Sequence, residues 1–398
     1  MASKVLVVGS GVIGLRTALE LLHRGVRVSL VSPHHPLHPS TCSMGAGGLW
    51  MPFHCDDSRT DRWSFETLSD LITLVSSNSS SGDSVVSPKP GRIDGTLVEI
   101  VPAVAFQRDG QSQIPGWATT DDTNSKSLAF QNLSIDELYR ESKSQHFRLP
   151  RKDWMEKAGY SHAWLFQAPI IDAPKMLTRM LDEIKANQYT DHVDVETNKY
   201  YTTIEEMIDE AKALGCDGIV NCTGLGSKQL CNDESLVGAR GVLLHYDRAS
   251  CAWREEIQES VSSETETSTM KDSIIMIVDP PFGTETMPCY MIPRGDIIAV
   301  GGTYLEGDKE GSIRESERER VIACAHIMGI DVDKSEPVGE WVGFRPYRPT
   351  SRLEVDEEVT SSTSSRSGVK VVHSYGYGGS GWTVFVGAAK EAASLLQT

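Results

Sequence analysis

The sequence predicts an α/β protein, and three observations carry that reading. A strand, a tight glycine turn and a helix open the chain and lead at once into a second strand; short apolar runs with little helix between them fill residues 241 to 302; and 398 residues suffice, at roughly 100–200 per domain, for two or three domains or two interleaved ones. Lys and Arg total 38 against 55 Asp and Glu, a formal charge of −17, which gives no positive field for nucleic acid or an anionic membrane. With 39% hydrophobic and 23% charged residues, 34 Gly and 18 Pro, the composition is that of a globular enzyme. No run approaches the roughly 18–20 apolar residues of a membrane span. The cysteines at 42, 55, 216, 222, 231, 251, 289 and 324 show no CxxC pair and no metal-ligand spacing, so they are expected to be reduced, intracellular thiols. The sequons at Asn78, Asn132 and Asn221 are then expected to be chance matches.

Lys4 to Val8 is a β-branched run; Gly9-Ser-Gly11-Val-Ile-Gly14 follows, and Val12, Leu15, Ala18, Leu19 and Leu22 recur at helical spacing. Arg24-Gly25 supplies a cation and a stop signal, and Val26 to Val31 is the next strand, so the glycines stand in the β-α-β context of a dinucleotide fingerprint. There the first glycine makes the turn, the second lets backbone approach a pyrophosphate, and the third lets helix and strand pack closely. The second strand ends Val31-Ser32-Pro33-His34, where the usual ribose-binding acid is missing, leaving Ser32 or His34 for that role. Ser/Thr-rich tracts at 76–88, 258–269 and 360–368 are expected to be surface loops. Asp172 and Pro174 open a helix carrying Met176, Leu177, Met180, Leu181 and Ile184; Val193 to Val195 is a strand; Thr203 to Glu206 is a capping box. Gly218 to Cys222 is a buried strand running into the turn Thr223-Gly224-Leu225-Gly226. Strands at 241–247, 273–279, 289–293 and 297–302 predict an antiparallel sheet. Gly368 to Tyr375 is a last strand, followed by a glycine-rich turn to Gly381 and a helix through Leu396.

Five further segments accompany the fingerprint in order: Gly45-Ala-Gly-Gly-Leu-Trp50-Met-Pro, Val220-Asn-Cys-Thr-Gly224, Cys289-Tyr290-Met-Ile-Pro, Trp341-Val-Gly-Phe-Arg345-Pro-Tyr-Arg-Pro and His373-Ser-Tyr-Gly-Tyr-Gly-Gly-Ser-Gly381-Trp-Thr383. Together they resemble the D-amino-acid oxidase and D-aspartate oxidase family of flavoenzymes from residue 4 to about 396, more weakly between 56 and 160. The resemblance implies non-covalently bound FAD, a D-amino acid and molecular oxygen as substrates, and an imino acid and hydrogen peroxide as products. It implies an FAD-binding, Rossmann-like domain assembled from 1–55, 161–232 and 341–398, with a mixed, largely antiparallel substrate-binding domain of 56–160 and 233–340 inserted. Arg345 corresponds to the arginine that grips the substrate carboxylate, Tyr290 to a second donor to it, and Gly379 to a carbonyl that accepts from the substrate amine. Gly9, Gly11, Val12, Ile13, Gly14, Thr41, Cys42, Ser43, Gly47, Gly48, Leu49, Thr223, Gly224, Gly378, Gly379, Gly381, Trp382 and Thr383 correspond to cofactor-side positions. Met51 and Phe53 are expected pocket walls; Arg348 and Arg352 are expected to be structural. A lid tyrosine common in mammalian members is replaced by Thr286, and the candidate lid, Asp279 to Tyr290, holds no cation for a substrate side-chain carboxylate. Neutral D-amino acids are therefore expected, with D-aspartate, for which Arg294 is the candidate second cation, and glycine or sarcosine as the rivals, and a non-catalytic FAD-binding protein the remotest. The chain ends Leu-Gln-Thr rather than in a Ser-Lys-Leu-type address, so the expected location is intracellular, cytoplasmic or peroxisomal. No nucleic-acid, membrane or metal partner is expected, and homo-oligomerisation is left open.

Overall fold

The computed structural model describes residues 3–52, 55, 57–77, 97–108, 114–119, 126–254, 270, 273–278, 284, 286–361 and 368–397. Its strands form one mixed sheet: β1 (Lys4–Val8), β2 (Arg27–Val31), β3 (Val98–Gln107), β4 (Gln131–Ser134), β5 (His162–Ile171), β6 (Thr190–Asp194), β7 (Gly218–Asn221), β8 (Val237–Asp247), β9 (Ile275–Ile277), β10 (Tyr290–Arg294), β11 (Ile297–Gly301), β12 (Leu305–Glu306), β13 (Gly339–Val355) and β14 (Lys370–Tyr377).

One half, in the order β14-β7-β1-β2-β6, is wholly parallel. Along β1, Val5 and Val7 pack under the helices Val12–His23, Ala173–Ala186 and Gly381–Gln397, while Leu6 and Val8 pack against Ile204–Ala213. A strand covered on both faces has no polar alternation, which is why residues 5–8 are apolar without a break. The helix Val12–His23 buries Val12, Leu15, Ala18, Leu19 and Leu22, and the chain leaves it through Arg24 and Gly25 at φ +75°. Asp172 caps Ala173–Ala186 by accepting from the Lys175 N–H at 3.4 Å.

The 17-residue β13 joins the halves, pairing antiparallel with β8 along its first part and with β14 along its last. From β8 the sheet continues β11-β10-β9-β3-β5-β4, antiparallel except for the β9–β3 pair. A second core lies here, where Val104, Phe106, Leu138, Leu165, Met276, Met291, Val321 and Met328 meet. No helix among the described residues is long and apolar enough to cross a membrane.

Several elements differ from the sequence reading. β6 lies at Thr190–Asp194 rather than 193–195, and β8 begins at Val237 rather than 241. At Thr203 the capping box is half formed: its hydroxyl accepts from the Glu206 N–H at 3.3 Å, but the Glu206 carboxylate turns to the N–H of Thr202 at 2.7 Å. The helices Thr60–Ser77, Ile135–Gln145 and Glu315–Ile327 and the strands β3 and β5 were not foreseen. Glu315–Ile327 shows why: it docks partly through buried Glu317, which accepts from buried Arg240 at 2.6 and 2.9 Å, so no apolar stripe announces it. Nearly all of the tracts 76–88, 258–269 and 360–368 lies outside the described residues.

Candidate functional site

A cavity of about 460 Å³ opens at the carboxyl ends of β1, β2, β7 and β14 and runs under β8 and β10. Carboxyl ends of parallel strands are where such sheets bind ligands. Its first end is the glycine turn. Gly9 takes φ +112°, and a Cβ there would fall 2.4 Å from the Cys222 carbonyl oxygen; one on Gly14 would fall 1.9 Å from that of Gly9. Gly9, Gly11, Val12 and Ile13 line the cavity, whereas Gly14 does not: it acts as the packing glycine alone. Bare backbone at the start of a helix is the cradle that a dinucleotide pyrophosphate fills, so the residues present fit one. In place of a ribose-binding acid stands a chain of hydroxyl, carbonyl and imidazole groups. The Ser10 hydroxyl lies 3.0 Å from that of Ser32 and 2.8 Å from the His34 carbonyl, and Tyr200 Oη lies 2.5 Å from His34 Nε2. Ser32, His34 and Tyr200 all border the cavity; Tyr200 had no sequence signal.

Thr41, Cys42, Ser43, Gly47, Gly48 and Leu49 line one wall, with Met51 beyond them. Ser43 Oγ accepts from the Val12 N–H at 3.0 Å, whereas the Cys42 thiol packs near Leu243, Ala299 and Trp341. Burial pushes that thiol up to about 11 against the opposing charge of Arg345, so it is a neutral wall. Gly48, at φ +74°, has no room for a side chain: a Cβ would lie 2.1 Å from the Ile171 carbonyl oxygen, and its own carbonyl accepts from the Ile171 N–H at 2.8 Å. Phe53 and half of the candidate lid, residues 279–283 and 285, lie outside the described residues.

Thr223 and Gly224 follow β7 into the cavity. The Thr223 hydroxyl donates to Asn221 Oδ1 at 2.8 Å, and the Asn221 amide donates to His373 Nδ1 at 3.1 Å. Asn221 is wholly buried, so that sequon is closed; Asn132 is exposed, and Asn78 lies outside the described residues. Gly378, Gly379, Gly381 and Trp382 line the opposite wall, where the 17-residue helix Gly381–Gln397 begins. Its N-terminal end favours negative charge. Thr383 faces away: its hydroxyl donates to the Met51 carbonyl at 3.0 Å, tying the two walls together, as Trp382 Nε1 does by donating to the Ser43 carbonyl at 2.9 Å.

At the far end stand Arg345 and Tyr290. The guanidinium of Arg345 lies over Gly241, where a Cβ would sit 2.2 Å from it, donates to the Thr303 carbonyl at 3.1 Å and stands 5.4 Å from the Tyr304 ring centre. No carboxylate among the described residues pairs with it. The Tyr290 phenol lies over Gly301 and Gly302, directly before Thr303. Arg348 and Arg352 are engaged elsewhere, on Asp233 at 3.0 Å and on the Tyr375 hydroxyl at 3.1 Å. Tyr304, Trp341, Leu243 and Phe344 complete this end; only Trp341 and Phe344 lay in a motif that sequence reading had singled out.

The model of the FAD dependent oxidoreductase family matches residues 4–395. The D-amino-acid oxidase of Dictyostelium discoideum is 28% identical over 395 residues, covering 98% of this chain and 91% of the relative. The D-aspartate oxidase of Homo sapiens is 25% identical over 399 residues, covering 99% and 94%. Glycine oxidase from Bacillus cereus shares the fold, with a TM-score of 0.65 at 14% identity over 99% of this chain and 95% of that one.

Proposed function

The chain belongs to the family of FAD dependent oxidoreductases, its cofactor is FAD, and we propose that it oxidises neutral D-amino acids to 2-oxo acids, ammonia and hydrogen peroxide. The observation that carries this reading is Arg345: a guanidinium at the far end of the cavity with no acidic partner among the described residues. A fork of that kind suits a carboxylate. In the proposed complex Arg345 and the Tyr290 hydroxyl hold the substrate carboxylate, and the Gly379 carbonyl accepts from the amine. Gly9, Gly11, Val12, Ile13, Thr41, Ser43, Thr223 and Gly224 hold the cofactor's phosphates and ribityl chain; Gly47 to Leu49, Gly378, Gly381 and Trp382 flank its ring. FAD bound there would supply a hydride acceptor, flavin N5, and a route for both electrons to oxygen as peroxide. Among the described residues the cavity lining contains no Asp or Glu, so no side-chain base is assigned to Cα, and the chain contributes orientation and a dry site. Leu243, Ile277, Phe344 and Tyr304 exclude water around the reacting carbon.

The preference for neutral side chains rests on the cations. Besides Arg345 the only Lys or Arg in the lining among the described residues is Lys199, which pairs with Glu210, and Arg294 is outside it. The proposed division keeps the segments 1–55, 161–232 and 341–398 for FAD and 56–160 and 233–340 for substrate. Anaerobic addition of D-alanine to purified holoprotein should bleach the flavin bands, and air should restore them with one peroxide per substrate. Bleaching by L-alanine, glycine or sarcosine in its place, or electron delivery to a quinone without peroxide, would refute the proposal.

A further inference from the structure

Behind the wall formed by Cys42–Leu49 lies one cation. Arg294, at the end of β10, is 6% exposed and donates to the carbonyl of Met44 at 3.3 Å and to that of Ala46. Among the described residues no carboxylate pairs with it; Asp172, whose charge acts on it, is already engaged by Lys175 at 2.8 Å. Ile292, two residues earlier on the same face of β10, lies against Gly47 and lines the cavity, so Arg294 stands one step behind the lining. The carbonyl of Ala46 shares its peptide unit with the N–H of Gly47. Gly47 lines the cavity, and its N–H has no protein acceptor among the described residues. A guanidinium bonded to a peptide oxygen draws density from that unit and makes its N–H a stronger donor, more so where the dielectric is low.

We propose that Arg294 is a polarising and positioning residue for the flavin: a fixed buried positive charge that acts through the Ala46–Gly47 peptide to favour the reduced, negatively charged flavin over the oxidised form. The proposal rests on FAD occupying the cavity and is independent of which amino acid is oxidised.

The test is the midpoint potential of the holoprotein, titrated with dithionite against a redox dye. Each flavin takes two electrons from dithionite, which is oxidised to sulfite, and one proton from water. Arg294→Gln keeps a donor and removes the charge; it should weaken the preference for reduced flavin about tenfold, roughly 30 mV downward for a two-electron couple. Arg294→Lys should recover most of that loss. Asp172→Asn keeps a capping residue for Ala173–Ala186, removes the acid acting on Arg294 and lies outside the cavity, so it should move the potential upward; it decides the matter if Arg294→Gln yields no folded holoprotein. An unchanged potential in Arg294→Gln or Asp172→Asn would overturn the proposal. So would equal losses in the Gln and Lys variants, which would leave Arg294 a mechanical brace.

Discussion

In the proposed function Arg345 is a ligand-binding cation rather than a structural one. Its guanidinium rests on a glycine, touches one backbone carbonyl and has no acid beside it among the described residues. Arg345→Lys keeps the charge but loses the fork, and truncating one partner of a buried charge pair costs about 2–5 kcal/mol. That corresponds to roughly 30- to several-thousand-fold in kcat/KM at about 1.4 kcal/mol per decade, with FAD retained. Tyr290→Phe should be milder, roughly 1.5–3 kcal/mol for a hydrogen bond to a charged group. Both should weaken benzoate, a carboxylate that fills the clamp without being oxidised. Near wild-type turnover and benzoate affinity in Arg345→Lys would place the clamp elsewhere. Arg294, whose donors go to the carbonyls of Met44 and Ala46, is a poor second clamp, so kcat/KM for D-alanine or D-methionine should exceed that for D-aspartate. The reverse order would show that a cation of this kind has been overlooked.

At the scale of elements, the glycine turn carries the heaviest constraint. A Cβ on Gly14 would meet the Gly9 carbonyl oxygen at 1.9 Å, backbone against backbone, so a single methyl already forces the helix Val12–His23 away from β1. Gly14→Ala should lose about 1–3 kcal/mol of stability, as overpacking does, and release FAD before it unfolds. The absorbance ratio of flavin to protein and the far-ultraviolet dichroism report the two separately; a folded variant with full FAD would show that the close packing is dispensable. The same locality made this unit legible: turn, helix and buried strand each depend on neighbours within a few residues, so spacing alone reveals them. Other elements depend on distant partners. Glu315–Ile327 docks through Glu317 on Arg240, which lies far away in sequence, and β3 gains its meaning only by pairing with β5. At the site, Arg345 and Tyr290 lay in recognisable segments. Tyr304 and Tyr200 arrive from stretches with no pattern of their own, brought there by the sheet order.

The molecule as a whole carries a formal charge of −17, yet its pH response should be set first by two imidazoles held neutral, one half-buried and one buried, and only then by carboxylates. Burial holds His245 down at about 4, with the charge of Arg294 adding to the effect. His373 is also lowered by burial, which outweighs the opposing Asp356; its Nδ1 accepts from the Asn221 amide, so its remaining proton lies on Nε2, toward Asp356 at 2.9 Å. A histidine whose folded pKa lies below its unfolded value takes up its proton first in the unfolded chain. Stability is therefore full above about pH 6.5 and falls as the pH drops toward the folded value. For His245 the window runs from the ordinary 6.5 to about 4, a loss of roughly 3 kcal/mol across it at about 1.4 kcal/mol per unit. Carboxylates work lower. Burial alone would raise Asp233, but the Tyr375 hydroxyl and Arg348 more than offset it and hold it below its usual value, so its contribution is lost only at more acid pH. Easing of the acidic chain's self-repulsion on protonation acts in the opposite sense, and a variant separates the two. His245→Gln removes the imidazole and leaves the remaining charges in place. Urea unfolding of wild type and variant from pH 7 to pH 4 should show the wild-type stability falling more steeply, by about 1 kcal/mol per unit through the middle of the window. Parallel slopes would mean that His245 takes up its proton as readily in the folded chain as in the unfolded one, and that the space beside Arg294 is wetter than its neighbours imply.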